Sequence, residues 1–166
     1  MGPTPKTNAM LICDYVITEQ GTNKKSLIGI FENINAAVFP CVHHALSVYI
    51  KLTEAQGIYR FRLELVDLKS NAVIGKAEVP HEIRIDSPLA THELVFNLRG
   101  LKFDHPGEYE FRIFANDQIF GQKTFLVDSV KEKWKISIDL KGSWSVKERV
   151  LKISPFLYYW NMLSFN

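Results

Sequence analysis

Cysteine is scarce in this chain, two in 166 residues, and Cys13 and Cys41 each stand alone in their segment. No Cys-x-x-Cys pair is present, so neither a disulfide-stapled scaffold nor a zinc knuckle is indicated, and reduced free thiols are expected. Cys13, close to Ile12 and Tyr15 in an apolar stretch, reads as a small buried hydrophobe. Long apolar runs are missing too. The stretch 153–165 is too short for a membrane span, which takes about 20 residues, and Pro155, Asn161 and Ser164 interrupt it. Near the N-terminus only Lys6 precedes a brief apolar patch that meets Asp14 at once, unlike the sustained centre of a secretory signal. A cytoplasmic protein without a transmembrane segment is therefore expected. The chain also lacks a Gly-x-Ser-x-Gly elbow, a His-Glu-x-x-His pair and a glycine loop that could cradle phosphate. No enzyme and no cofactor are expected.

What is present is a series of short alternating segments punctuated by turn residues, the pattern of sandwiches and barrels. Strands are expected at 10–18 and 26–31, then at 45–53, where Leu46, Val48, Ile50 and Leu52 face inward and Ser47, Tyr49 and Lys51 outward. Residues 59–66 alternate Tyr59, Phe61, Leu63 and Leu65 with Arg60, Arg62 and Glu64. Further strands are expected at 73–79, 82–85, 92–98, 109–115 and 118–127, the last two joined as a hairpin by Asn116-Asp117. The most informative segment is 101–111, Leu-Lys-Phe-Asp-His-Pro-Gly-Glu-Tyr-Glu-Phe. Pro106 and Gly107 make a turn, and Tyr109 opens the next strand, which is the form of a tyrosine corner: the hydroxyl bonds backbone upstream while the chain crosses between sheets. The expected fold is all-β, a two-sheet antiparallel sandwich of immunoglobulin-like or Greek-key type, with a short C-terminal strand and helix extension.

That extension, 130–166, differs from the body, 1–129. It holds all three tryptophans and a net charge of +4, against −2 for the body. A strand is expected around Trp134–Leu140, and Ser145-Val146-Lys147-Glu148 has the form of a capping box for a helix over 146–153. Trp134, Trp144, Tyr158, Tyr159 and Trp160, interleaved with lysines, are the candidate interaction residues. Three readings stand side by side: rings packed on the sandwich, a surface for a protein partner or a membrane, and a non-native appendage.

Taken together, Met10-Leu11-Ile12-Cys13-Asp14-Tyr15-Val16-Ile17, Gly29-Ile30-Phe31-Glu32-Asn33-Ile34, Phe39-Pro40, the corner and Phe120-Gly121 resemble a bacterial family of small β-sandwich proteins, domain of unknown function 6941. The resemblance spans about 9–128, leaves the stretch from Lys131 outside, and implies no catalytic residues.

Of the chemistry-bearing groups, Cys41, His43 and His44 are the cluster that looks most like metal ligands. Two adjacent histidines point to opposite sides of an extended chain, however, and the set is short of the four groups a structural zinc needs. Asp14, Asp67, Asp86, Asp104 and Asp117 lie near turns, where Asp caps backbone amides, and no Asp-x-Asp run gathers them for calcium. Arg60, Arg62 and Arg112, with Phe114, could form a basic platform, but Glu64, Glu108 and Glu110 on the same strands cancel it, so nucleic acid is not expected. The reading is a non-enzymatic binding or structural module that acts through strand-end loops or a sheet face. The alternative is a small-ligand or carbohydrate-binding, even hydrolytic, domain with its site in the loops 35–44 and 85–92.

Overall fold

The computed structural model describes residues 2–130, 136–138 and 144–146, and none of these is helical. The strands are β1 (Lys6–Thr18), β2 (Lys25–Ile30), β3 (Asn33–Ala36), β4 (Cys41–Thr53), β5 (Gly57–Tyr59), β6 (Phe61–Asp67), β7 (Ala72–Glu78), β8 (Ile83–Ile85), β9 (His92–Phe103), β10 (Gly107–Ala115) and β11 (Gln118–Ser129). A four-stranded sheet runs β2-β1-β4-β9 and a five-stranded sheet β3-β11-β10-β6-β7, with β5 and β8 as a separate ribbon. Pairing is antiparallel throughout except for β3 against β11, a parallel edge. This is an all-β sandwich. Beyond Val130 a further ribbon pairs β12 (Ile136–Ile138) with β13 (Trp144–Val146). Val146, expected to open a helix, therefore lies in a strand; the rest of that expected helix, and Trp134, Tyr158, Tyr159 and Trp160, lie outside the described residues.

Two inward faces make the core. Leu46, Val48, Ile50 and Leu52 on β4 are no more than 1% exposed, and they meet Phe61, Leu63, Leu65, Phe111 and Ile113 from the facing sheet. Their alternation follows from the two-residue period of the strand. On β9 that period is reset. Leu94, Phe96 and Leu98 face inward before Gly100, whose φ of 65° belongs to the left-handed region, and Leu101 and Phe103 face inward after it. One strand thus covers what the sequence divides into two segments. The stretch 59–66 divides instead: Tyr59 closes β5, Phe61 opens β6, and the Arg60 N–H between them donates to Asn116 Oδ1 at 2.9 Å.

The outward positions of β4 depart from expectation as well. Ser47 is 2% exposed and Tyr49 7%. Their cover is the hairpin formed by β2 and the second half of β1. β1 pairs with β4 only as far as Cys13, and from there to Thr18 it pairs with β2 alone. Lys25, opposite Thr18, comes within 4.0 Å of Glu93 on β9. In a flat sheet the two would sit about 30 Å apart along the strand direction. The hairpin has therefore left the plane and crosses back over the outer face of β4 and β9, adding a local third layer.

Phe111, fully buried, stacks on Phe125 with ring centroids 5.2 Å apart. Phe111→Ala is expected to destabilise the fold by about 3–5 kcal/mol, read as a fall in the urea midpoint at unchanged slope.

Candidate functional site

The expected loop sites contract in the structure. Residues 35–44 are mostly strand, since β3 ends at Ala36 and β4 starts at Cys41. The physical reason is that β3 adds to the free edge of β11, which turns a long loop into a short link. Cys41 and His43 turn toward the core, His43 against Phe31, whereas His44 is exposed. Burial raises the Cys41 thiol above its ordinary pKa, which disfavours the thiolate a metal requires. Among the described residues no three His, Cys, Asp or Glu side chains converge on a common point. The second expected loop, 85–92, shrinks to 86–91 between β8 and β9; it is tied down by the Glu54 N–H donating to the Pro88 carbonyl at 3.0 Å and presents Leu89, 91% exposed.

The charged groups of the five-stranded sheet pair with one another. Arg62 reaches Glu64 at 3.1 Å and Asp117 at 2.6 Å, and its guanidinium lies 4.7 Å over the Phe114 ring. Arg60 meets Glu82 at 2.9 Å and Arg112 meets Glu110 at 2.7 Å. An open groove of about 920 Å³ is lined by Arg60, Arg62, Glu78, Glu82 and Asp117. Its cations already hold partners, so the groove offers no free positive charge to an anionic ligand.

The turn between β9 and β10 gathers more. Tyr109 Oη donates to the His105 carbonyl at 2.8 Å, and the Leu68 N–H donates to the Glu108 carbonyl at 3.2 Å. The His105 ring lies over Tyr109 at 5.8 Å and contacts two acceptors: the Pro106 carbonyl at Nδ1 and Asp67 Oδ2 at Nε2, each at 3.0 Å. Both nitrogens can donate only in the imidazolium. The Pro106 carbonyl and then Asp67 accordingly raise the His105 pKa above 6.5. The Asp67 carboxylate also accepts from Ser70 Oγ at 2.7 Å and from the Lys69 N–H at 2.9 Å. The Ser70 hydroxyl first, with Lys69 and His105, holds its pKa below 3.8 against the opposing effect of burial. Serine, aspartate and histidine do meet here, but the aspartate stands in the middle, between the imidazole and the hydroxyl. The cluster is a clasp between the ends of β6 and β9.

The remaining feature was not singled out from the sequence. On the β1–β2 hairpin, Val16, Leu27 and Lys25 share the face turned to the sheet and are partly buried, while Tyr15, Ile17, Ile28 and Ile30 share the solvent face. The latter are 53%, 50%, 38% and 56% exposed, a contiguous apolar patch. One signal for it exists in the sequence: Tyr15-Val16-Ile17 and Leu27-Ile28-Gly29-Ile30 are apolar at both parities, which a strand with one wet face is not.

Two outcomes test the turn. Tyr109→Phe is expected to cost about 1–3 kcal/mol in chemical denaturation, because the His105 carbonyl loses its donor. The pH dependence has a definite sign. A raised histidine pKa contributes stability below pH 6.5 that is lost as pH rises through the folded value, and a depressed aspartate pKa contributes stability above pH 3.8 that is lost as pH falls through the folded value. The stability difference between the wild type and His105→Gln, measured by denaturation across a pH series, is therefore expected to peak between those limits and to shrink as pH rises through the folded His105 value.

Comparison with known proteins adds a family but no activity. No curated protein matches the chain. Among solved structures, an alkylpurine DNA glycosylase, AlkC, of Pseudomonas fluorescens bound to DNA containing an abasic site analog is 9% identical, with 74% of this chain and 30% of that one covered at a TM-score of 0.45. A β-glucosidase of Listeria innocua in complex with glucose is 11% identical, with 76% and 16% covered at 0.42. β-Glucosidase 3B of Thermotoga neapolitana, in complex with glucose, is 17% identical, with 52% and 14% covered at 0.36. This chain spans less than a third of each of these proteins, and likenesses at this level carry no argument about ligand or reaction. The match that identifies the chain is to a sequence family over residues 8–128, nearly the whole sandwich: the protein belongs to the family of unknown function DUF6941.

Proposed function

We propose that the protein is a non-enzymatic binding module that docks an apolar, weakly charged protein surface on the solvent face of the β1–β2 hairpin. The observation that carries this reading is the exposure of Tyr15, Ile17, Ile28 and Ile30 together on one ribbon face. Large apolar side chains grouped in this way mark contact surfaces, and an aromatic among branched aliphatics is the usual make-up of an interface centre. The charges elsewhere support the same assignment of roles, because they are spent on pairs within the sandwich rather than left to attract nucleic acid. The turn at Pro106, Gly107 and Tyr109 serves this module as a tyrosine corner, a structural device rather than part of the contact. The free thiols of Cys13 and Cys41 suit a reducing, cytoplasmic setting.

Ile17→Glu with Ile28→Glu is expected to leave the melting temperature nearly unchanged, since both side chains face solvent, and to weaken partner binding by roughly 30-fold. Stoichiometric capture by the wild type that is lost in the double variant supports the surface. Retention of the partner by the variant refutes it. So does a metabolite or glycan that raises the wild-type melting temperature in a thermal-shift screen, which would favour a ligand site instead.

A further inference from the structure

The same hairpin has an underside, and the groups beneath it are arranged as a closure. Where β1 leaves β4, Cys13 is fully buried, and its thiol donates weakly to the Ser47 carbonyl at 3.7 Å and the Tyr15 carbonyl at 3.6 Å. Beside it Ser47 Oγ donates to Asn97 Oδ1 at 2.7 Å, and Tyr49 Oη donates to Glu93 Oε1. The other oxygen of Glu93 faces the Lys25 ammonium of the hairpin at 4.0 Å, with the Lys25 side chain 18% exposed. Lys25 and Glu93 thus join the far end of the hairpin to β9. At the near end, Gly29 stands opposite Asp14 with φ of 66°, and a Cβ at this position would lie 2.0 Å from Asp14 Oδ2. That left-handed conformation favours glycine, and a side chain there would have to displace the Asp14 carboxylate.

We propose that the β1–β2 hairpin is a latched flap: Gly29 opposite Asp14 is its hinge, Lys25 with Glu93 and Tyr49 is its latch, and its opening uncovers Cys13 on β1 with Ser47 and Tyr49 on the outer face of β4. The two ends have different physics. The hinge is a single pair of strands, since past Cys13 the hairpin has no ladder partner in the sheet. The latch is one ion pair and one phenol hydrogen bond, the kind of contact whose loss changes an equilibrium several-fold without unfolding a domain. Opening also presents a second apolar surface, Val16 and Leu27 on the flap and Leu11 and Val95 on the sheet, neighbours in register of the buried Tyr49. The inference holds whether or not a partner docks on the solvent face, because it concerns the underside.

Cys13 is the reporter. In the full chain carrying Cys41→Ser, its modification by a maleimide is expected to be slow, because a covered thiol reacts only when the flap lifts. Glu93→Gln removes the charge facing Lys25 and weakens the Tyr49 bond, and is expected to speed modification by about 3- to 10-fold, with a fall in global stability no larger than that fold-change implies, about 0.7–1.4 kcal/mol. Arg84→Gln, which breaks the exposed pair of Arg84 with Asp86 elsewhere, serves as the control and is expected to leave the rate alone. Equal rates in all three proteins would overturn the flap. Denaturant gives a second reading that needs no further variant. Modification of Cys13 at a rate independent of low urea concentration supports local opening; a rate that rises with the full slope of global unfolding overturns it.

Discussion

The chain passes from its four-stranded sheet to its five-stranded sheet at the turn between β9 and β10, where backbone polar groups lose their ladder partners inside a closely packed region. The hydrogen bond from Tyr109 Oη to the His105 carbonyl supplies one missing partner, and the bond from the Leu68 N–H to the Glu108 carbonyl supplies another. Unpaired backbone groups are costly in a core, so an apolar ring alone would not serve at this position. The Tyr109 ring also packs edge-on against Phe103, at 4.8 Å, and stacks on Phe125. One side chain therefore closes the crossing and anchors the aromatic layer between the sheets, and His105 with Asp67 fastens the same place electrostatically.

Once the two sheets are closed, the character of each outer face follows from its neighbours. On the five-stranded sheet, Arg62, Glu64, Glu110 and Arg112 lie across adjacent strands and neutralise one another; Glu64 is only 8% exposed and Glu110 only 6%. Such depth is tolerable because each carboxylate has a cation within about 3 Å. On the four-stranded sheet the polar row Ser47, Asn97, Tyr49 and Glu93 is satisfied internally, with Ser47 and Tyr49 buried beneath the hairpin and Asn97 and Glu93 exposed beside it. Apolar surface is thereby displaced outward by one layer, from the sheet to the hairpin. This places an exposed hydrophobic face on the hairpin, which past Cys13 has no ladder partner in the sheet.

The same arrangement accounts for the absence of a recognisable reaction centre among the described residues. Burial raises the Cys13 thiol, with Asp14 adding to the effect, and Tyr49 is pushed up to about 12 by burial and Glu93. Both shifts favour the protonated, unreactive form. The groups best placed to act as acid or base, Asp67 and His105, are locked together with their remaining valences on backbone and Ser70.

Much of this architecture was legible in the residues. The alternation of Leu46, Val48, Ile50 and Leu52, the Pro106-Gly107 turn and the Asn116-Asp117 hairpin are short-range signals, because strand period and turn conformation are properties of neighbouring residues. Family membership was legible for the same reason, as a succession of such segments. The parallel docking of β3 on β11 was not, since any short polar strand can fill an open edge and nothing local says which. Nor was the burial of Ser47 and Tyr49, which look outward by parity and are covered only because Lys25 meets Glu93, a pairing between distant parts of the chain. The sequence by itself determined which side chains turn to the core and where the chain reverses. The tertiary structure alone decided that the first hairpin leaves its sheet and faces solvent with Tyr15, Ile17, Ile28 and Ile30, because that choice depends on long-range contacts that no local period encodes.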